Sequence, residues 1–372
     1  MESATSVSVP IPDKTRSNAL KKRDLRLRIL LVAAYTLIFV ILNTLLPLPY
    51  IAGLITVPLT ALTFNAAFRW SAKQLAIRQT TRNIPNRLRP NDKEHALRRG
   101  ALSGKVIGGY EIMNLIDKGG MSEVYTTQSG GLLLAIKIAT VNEKSPEFLM
   151  RFEREVAMLE RAKHPNVVQV FDSGADDTYA YMVMEYIDGV TLKSYIEREG
   201  ALTIKDVADI VHGLASALEH MHALGIIHRD LKPGNIMLYW DSDGTCVPLL
   251  LDFGVAKQSS VTVITLEGTV GTVEYMSPEQ ILEAPLVQPA SDVYAFGVMV
   301  YEMLTGELPY DGSMGAIVFG HLHGDTKDPR DINEEVPPTM AAAVCRAMSK
   351  DPAQRYDSVS QFAEAMLKDL NN

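Results

Sequence analysis

Between residues 137 and 252 the chain gathers the side chains that handling a phosphoryl group requires. A lysine, Lys137, sits in the apolar string AIK; a glutamate, Glu155, follows in EFLMRFEREVAMLERAK; Asp230, Lys232 and Asn235 share HRDLKPGN; and Asp252 opens DFG. Phosphoryl transfer asks little covalent work of a protein. It needs a cation on the phosphates, carboxylate or carbonyl oxygens for a divalent metal, and a group to receive the incoming hydroxyl. Any one of these residues alone would be read as a solvated surface charge; the set in this order is a candidate site.

The elements that must position these residues are legible around them. Residues 110–141 hold short β-type runs, YEIMNLI, EVYTT and LLLAIKIATV, broken by Lys118–Gly119–Gly120 and Ser129–Gly130–Gly131, which predicts a small antiparallel sheet with tight turns. Residues 147–163 read as a helix, and beyond residue 190 the strings VADIVHGLASALEHMHALG and MAAAVCRAMSK carry apolar residues at helical spacing. The expected fold class is therefore α+β: a sheet-rich lobe, then a helix-rich one, with a cleft between. Met182 and Met184 alternate in a β-like run and are expected in the core. The string YWDSDGTCVP between Asn235 and Asp252 reads as a hairpin turn.

The strings AIK, HRDLKPGN, DFG and SPE (Ser277–Glu279), in this order, resemble the Hanks-type Ser/Thr protein kinases, and HPNVV, MEYIDG and GTVEYMSPEQ look most like their bacterial members. The resemblance covers about Tyr110–Leu370. It implies a bilobal protein-kinase-like domain that binds ATP and Mg2+, with Mn2+ as a substitute, and phosphorylates itself and protein substrates. Lys137 would then lie on the nucleotide phosphates and Glu155 would fix it. Glu153 is the competing glutamate, but residues two apart on a helix point about 200° apart, so only one faces the cleft, and Glu155 is chosen. Asp230 would orient the substrate hydroxyl, Lys232 would reach the transferring phosphate, and Asn235 and Asp252 would hold the metal. Lys232 and Thr272 match the Ser/Thr-directed pattern. Gly119, Gly120, Val124 and the hinge residues Glu185 and Ile187 would contact ATP, with Met184 setting the depth of the adenine pocket.

The nucleotide loop departs from the family's G-x-G-x-x-G. Aligned on Glu123–Val124–Tyr125 it reads Asp117–Lys118–Gly119–Gly120–Met121–Ser122, keeping the central glycine and replacing the first and third. Asp117 is expected to weaken ATP binding unless it points to solvent or pairs with Lys118. Arg229, before Asp230, resembles the arginine that pairs with a phosphate on the activation segment, and the expected autophosphorylation sites there are Thr265, Thr269 and Thr262. Glu279 with Arg355 resembles a buried ion pair anchoring that segment, and Asp292 the residue that holds the catalytic loop from below. The pairs His220/His222 and His321/His323 lack carboxylate or thiol company and are assigned to surface or packing roles rather than to a metal.

Composition places this domain in a larger plan. With 372 residues, 47% hydrophobic and 22% charged, the chain is neither disordered nor collagenous, and its two cysteines, Cys246 and Cys345, suggest no disulfide framework. Residues 1–105 carry 17 Lys+Arg against 5 Asp+Glu, while residues 106–372 carry 19 against 39, so a nucleic-acid partner is not expected. Residues 29–68 contain no Asp, Glu, Lys or Arg. One helix of that length would be about 60 Å long, twice a hydrocarbon core, and Pro47 and Pro49 break it in two. The expected organisation is a disordered basic leader (1–28), two transmembrane helices (29–70), a basic juxtamembrane linker (71–105) and a kinase domain (106–372). A single span and a soluble hairpin are the competing readings. Basic residues on both flanks place the domain in the cytoplasm at the inner membrane. Expected partners are protein substrates, ATP, membrane lipids through the ten Lys/Arg from Arg69 to Lys105, and a second copy as a homodimer.

Overall fold

The computed structural model of the protein describes residues 98–119, 122–141, 146–252, 273–282 and 287–370. The expected leader, both expected spans and the linker up to residue 97 lie outside the described residues, as do Gly120, Thr262, Thr265, Thr269 and Thr272. Among the described residues no helix is long and apolar enough to cross a membrane.

The first lobe is an antiparallel sheet of six strands: β1 (Val106–Ile107), β2 (Tyr110–Lys118), β3 (Ser122–Ser129), β4 (Leu132–Thr140), β5 (Val170–Ala175) and β6 (Tyr179–Glu185), in the order β1-β2-β3-β4-β6-β5. The period of two along β4 divides its work between the faces. Leu134, Ile136 and Ile138 pack on the outer face with Tyr125, Val183, Ile107, Tyr110 and Ile112. Ala135 and Ala139, small residues, flank Lys137 on the inner face and leave room beside the ammonium. Helix α1 (Pro146–Arg161) follows, with Phe152, Val156 and Leu159 buried at helical spacing. Met182 is wholly buried, as expected of a core residue.

The second lobe begins with β7 (Val190–Thr191), α2 (Leu192–Glu199) and α3 (Ile204–Ala223). Thr203 caps α3 by accepting a hydrogen bond from the Asp206 N–H, which satisfies a donor that the helix cannot. Strands β8 (Ile236–Trp240) and β9 (Cys246–Leu250) form the expected hairpin, with Ile236 opposite Leu250 and Trp240 opposite Cys246. Its turn is closed by Asp241, whose Oδ1 accepts the Asp243 and Thr245 N–H groups at 2.9 Å each, and by Gly244 at φ 82°, where a side chain would be strained. After α4 (Pro278–Leu282) comes α5 (Pro289–Thr305), apolar on nearly all sides and accordingly buried on nearly all sides. Helices α6 (Met314–His323), α7 (Pro338–Ala347) and α8 (Val359–Leu367) complete the lobe. The described domain is thus bilobal α+β, as expected.

The Glu279 and Arg355 pair forms as the sequence suggested. Nη1 and Nη2 of Arg355 donate to the two carboxylate oxygens of Glu279 at 2.8 and 2.9 Å, and Ser291 Oγ adds a third donor at 2.6 Å. The remaining guanidinium N–H groups reach the carbonyls of Ser349, Ala290 and Lys350, so this wholly buried cation has every donor satisfied. Burial alone would raise the Glu279 carboxyl, but the guanidinium outweighs it and holds the group below its usual range. Removing one partner of such a pair leaves a buried charge alone. Arg355→Met should therefore lower unfolding stability by about 3–5 kcal/mol in urea titration, and a loss below about 1 kcal/mol would contradict this account.

Candidate active site

Lys137, Glu155 and Asp252 converge from three separate elements. Lys137 projects from the inner face of β4; its Nζ lies 2.8 Å from Glu155 Oε1 on α1 and 2.9 Å from Asp252 Oδ1, two residues past β9. Burial works against the ammonium, but the charges of Asp252 and Glu155 outweigh it and push its pKa up, so Lys137 is a permanent cation. Burial raises Glu155, and the like charge of Asp252 adds to this against the pull of Lys137. Glu153 lines a different groove, beside β5, so the choice between the two glutamates falls to Glu155.

Across the cleft the loop His228–Asn235 is fixed through its backbone. Asp292, buried on α5, accepts the His228 N–H at 2.8 Å, the Arg229 N–H at 3.0 Å and a bond with His222 Nε2 at 2.7 Å. Burial disfavours that carboxylate, yet His222 holds its pKa below the ordinary value. Gln280 of α4 also donates to the Arg229 carbonyl at 2.9 Å. Between these anchors Arg229 adopts φ 66°, the only non-glycine residue in the left-handed region among the described residues. The turn it makes presents Asp230. The Lys232 ammonium lies 2.9 Å from Asp230 Oδ2, and Asn235 Nδ2 donates to the Asp230 carbonyl at 2.9 Å. Asn235 and Asp252 are brought together because the Leu251 N–H donates to the Asn235 carbonyl at 2.9 Å.

Lys137, Asn235 and Asp252 border a cleft of about 520 Å³. Val124, Ala135, Met184 and Ile187 supply apolar surface from the sheet and hinge, Met237 and Leu251 from the helical lobe, and Lys137, Asn235 and Asp252 the polar end. Glu185 also lines it, while its Oε1 accepts the Gln169 N–H at 2.9 Å. Met184 thus lines the cleft as well as the core. Asp117 is exposed at the rim, where its Oδ1 accepts the Lys118 N–H at 2.8 Å. The Lys118 ammonium pairs with Glu123 instead, at 2.9 Å. The Gly119 N–H donates to the Ser122 carbonyl at 2.8 Å.

A match to the protein kinase domain model spans residues 110–368. The chain belongs to the protein kinase family. It is 39% identical over 273 residues to the serine/threonine-protein kinase PrkC of Bacillus subtilis, covering 72% of this chain and 41% of that protein. It is 37% identical over 266 residues to a probable serine/threonine-protein kinase PknB of Lactococcus lactis, and 34% identical over 270 residues to PknB of Mycobacterium tuberculosis, covering 70% of this chain and 42% of the relative in both cases. The kinase chain therefore spans about two fifths of the length of these relatives.

Sequence reasoning missed two side chains that bear on the kinase site, His222 and His321. It treated them as generic packing residues because spacing carries no sign of a partner 70 residues away, as Asp292 is from His222. His321 on α6 is fully buried; it accepts from the Tyr294 hydroxyl at Nδ1 (2.9 Å) and bonds the Glu274 carbonyl through Nε2 (3.0 Å). It thereby holds the segment between Thr272 and Ser277. Burial and the nearby Lys350 ammonium push its pKa down to about 4 from an ordinary 6.5. The folded kinase refuses a proton that the unfolded chain accepts, so this stability is complete above pH 6.5 and is lost as pH falls from 6.5 toward about 4. Urea titrations from pH 7 to 4 should show a loss of at most about 3 kcal/mol from this site, and His321→Gln should flatten that slope; an unchanged slope would remove His321 as its source.

Proposed function

We propose that this chain is a membrane-anchored serine/threonine protein kinase that transfers the γ-phosphoryl group of ATP to itself and to protein substrates. The observation that carries the reading is the meeting of two charged sets at one cleft lined by Lys137, Asn235 and Asp252: Lys137 is paired with Glu155 and Asp252, and Asn235 is bonded to Asp230, which pairs with Lys232. Lys137, fixed by Glu155, binds the phosphates of ATP as a cation of set position. The adenine lies against Val124 and Met184, with the hinge from Glu185 to Ile187 along its edge, and Gly119 and Gly120 admit the phosphates close to the backbone. Asp230 orients the Ser or Thr hydroxyl and takes up its proton as the oxygen bonds to the γ-phosphorus and ADP departs. Lys232, already beside Asp230, offsets the charge on the phosphoryl oxygens.

The oxygen donors suit magnesium. A carboxylate, Asp252, and a carboxamide, Asn235, border the cleft together, and among the described residues no group of three His, Cys, Asp or Glu competes for a metal. Two hard protein ligands, with phosphate and water oxygens completing the shell, are what Mg2+ takes in phosphoryl-transfer sites, and Mn2+ accepts the same set. When bound, the metal supplies charge neutralisation on the phosphates.

Regulation is read from the segment between Asp252 and Glu279, where autophosphorylation falls on Thr265 or Thr269, with Thr262 as a third site, and the resulting phosphate pairs with Arg229. The backbone of Arg229 is already fixed by Asp292 and Gln280, which supports a set direction for its guanidinium. Anchoring is read from the charge-free residues 29–68 and their basic flanks, with the linker on anionic lipid and the kinase domain cytoplasmic. A homodimer would let one copy phosphorylate the other.

Transfer of labelled γ-phosphate by the full chain to itself and to a basic protein tests the activity. Asp230→Asn should lower kcat by about 10²–10⁴-fold with folding intact, and undiminished turnover would refute its role. Anchoring is tested separately: the full chain should float with vesicles of zwitterionic lipid, which the basic linker does not bind, and a variant lacking residues 29–70 should not. Equal flotation would locate membrane binding elsewhere.

A further inference from the structure

The outer face of the first sheet is covered by chain that precedes the matched kinase residues 110–368. Arg98 and Leu115 form a β-bridge in which the Leu115 N–H reaches the Arg98 carbonyl at 2.6 Å. The Gly104 N–H donates to the Ile112 carbonyl at 2.7 Å and the Ile112 N–H to the Lys105 carbonyl at 2.9 Å, so the segment is tied to β2 at Arg98, Gly104 and Lys105, with a turn between them. Leu102 packs on the outer apolar cluster. A sequence reading assigns these residues to a linker, but the segment is tied to the sheet through the backbone of Arg98, Gly104 and Lys105.

From this segment a line of contacts runs to the nucleotide loop. The Leu102 N–H donates to the hydroxyl of Tyr125 at 3.2 Å, and Gly100 is packed so closely on the same ring that a Cβ there would overlap the hydroxyl. Tyr125 is wholly buried, and its hydroxyl donates in turn to Glu123. The other carboxylate oxygen of Glu123 holds the Lys118 ammonium, and the Lys118 N–H holds Asp117 at the cleft rim. The hydrogen bond from Tyr125 and the charge of Lys118 keep the Glu123 carboxyl below its usual range, so the middle link is an anion. A tyrosine needed only for its bulk would leave a buried hydroxyl to be satisfied; this one joins the covering segment to the loop.

We propose that residues 98–105 form a strap that sets the position of the nucleotide loop, with Tyr125 and Glu123 as positioning residues between the strap and Lys118. Displacing the strap then weakens ATP binding while leaving the chemistry at Asp230 untouched. The inference rests on the kinase reading above and adds to it a coupling between the chain ahead of the domain and the affinity for ATP.

The test uses the full chain and two readouts: the Kd for a fluorescent ATP analogue, and KM for ATP and for a protein substrate. Tyr125→Phe, which keeps the ring and loses the hydroxyl, should raise the Kd and KM for ATP by about three- to tenfold, the equivalent of one hydrogen bond. Over the same comparison kcat and the protein-substrate KM should stay within about twofold. Gly100→Val should do the same, and the double variant should be no worse than the weaker-binding single, since both cut one line. If Gly100→Val does not fold, Glu123→Gln takes its place, because it cuts the Lys118 link at the surface while still accepting from Tyr125. An ATP affinity changed by less than about twofold in Tyr125→Phe, or a lowered melting temperature with unchanged ATP affinity, would assign Tyr125 to packing and overturn the strap. So would fully additive effects. A wild-type chain that binds the analogue without transferring phosphate would count against the kinase reading alone, because the Kd comparison still decides the strap.

Discussion

One buried ammonium organises the domain. Lys137 touches a carboxylate from α1 and another from just beyond β9, and Lys137 and Glu155 would each be costly to bury without the other. The arrangement ties sheet, helix and helical lobe to a single point, because Glu155 can reach that point only if α1 is docked and Asp252 only if β9 is in register. The small residues Ala135 and Ala139 beside Lys137 belong to the same constraint, since larger ones would fill the space that a nucleotide needs. Folding of the lobes and assembly of the site are in this sense one event.

The helical lobe meets the opposite requirement, which is to hold an irregular loop rigid. A loop cannot satisfy its own backbone as a helix does, so the donors must be met from elsewhere. Asp292 does this for His228 and Arg229, and it is kept ionised by His222 although it lies in the core. The left-handed turn at Arg229 is affordable only because its backbone is bonded on both sides, by Asp292 and by Gln280.

Much of this was legible in the sequence. The strands around Gly119 and Gly131, the helix α1 and the hairpin at Asp241–Gly244 follow from local rules of period and turn chemistry, and the site strings, with Glu155, from the family resemblance that their order carries. What escaped were contacts made by ordinary residues across long separations. His321 and Lys350 carry no local mark of their surroundings, and neither does Tyr125, which reads simply as a strand residue. The strap at residues 98–105 escaped for another reason: its basic composition continues that of the linker before it, while its attachment is made by backbone groups, which composition does not report.

The β8–β9 hairpin sets the two oxygen donors at one end and the turn at the other. Asn235 immediately precedes β8 and Asp252 follows β9 by two residues, with Ile236 opposite Leu250 closing the end near the cleft and Trp240 opposite Cys246 closing the far end. Length added beyond Trp240 therefore lengthens the ribbon without changing the separation of the donors. The exposed turn at Ser242–Gly244 is thus a place where a peptide tag can be inserted without disturbing the cleft.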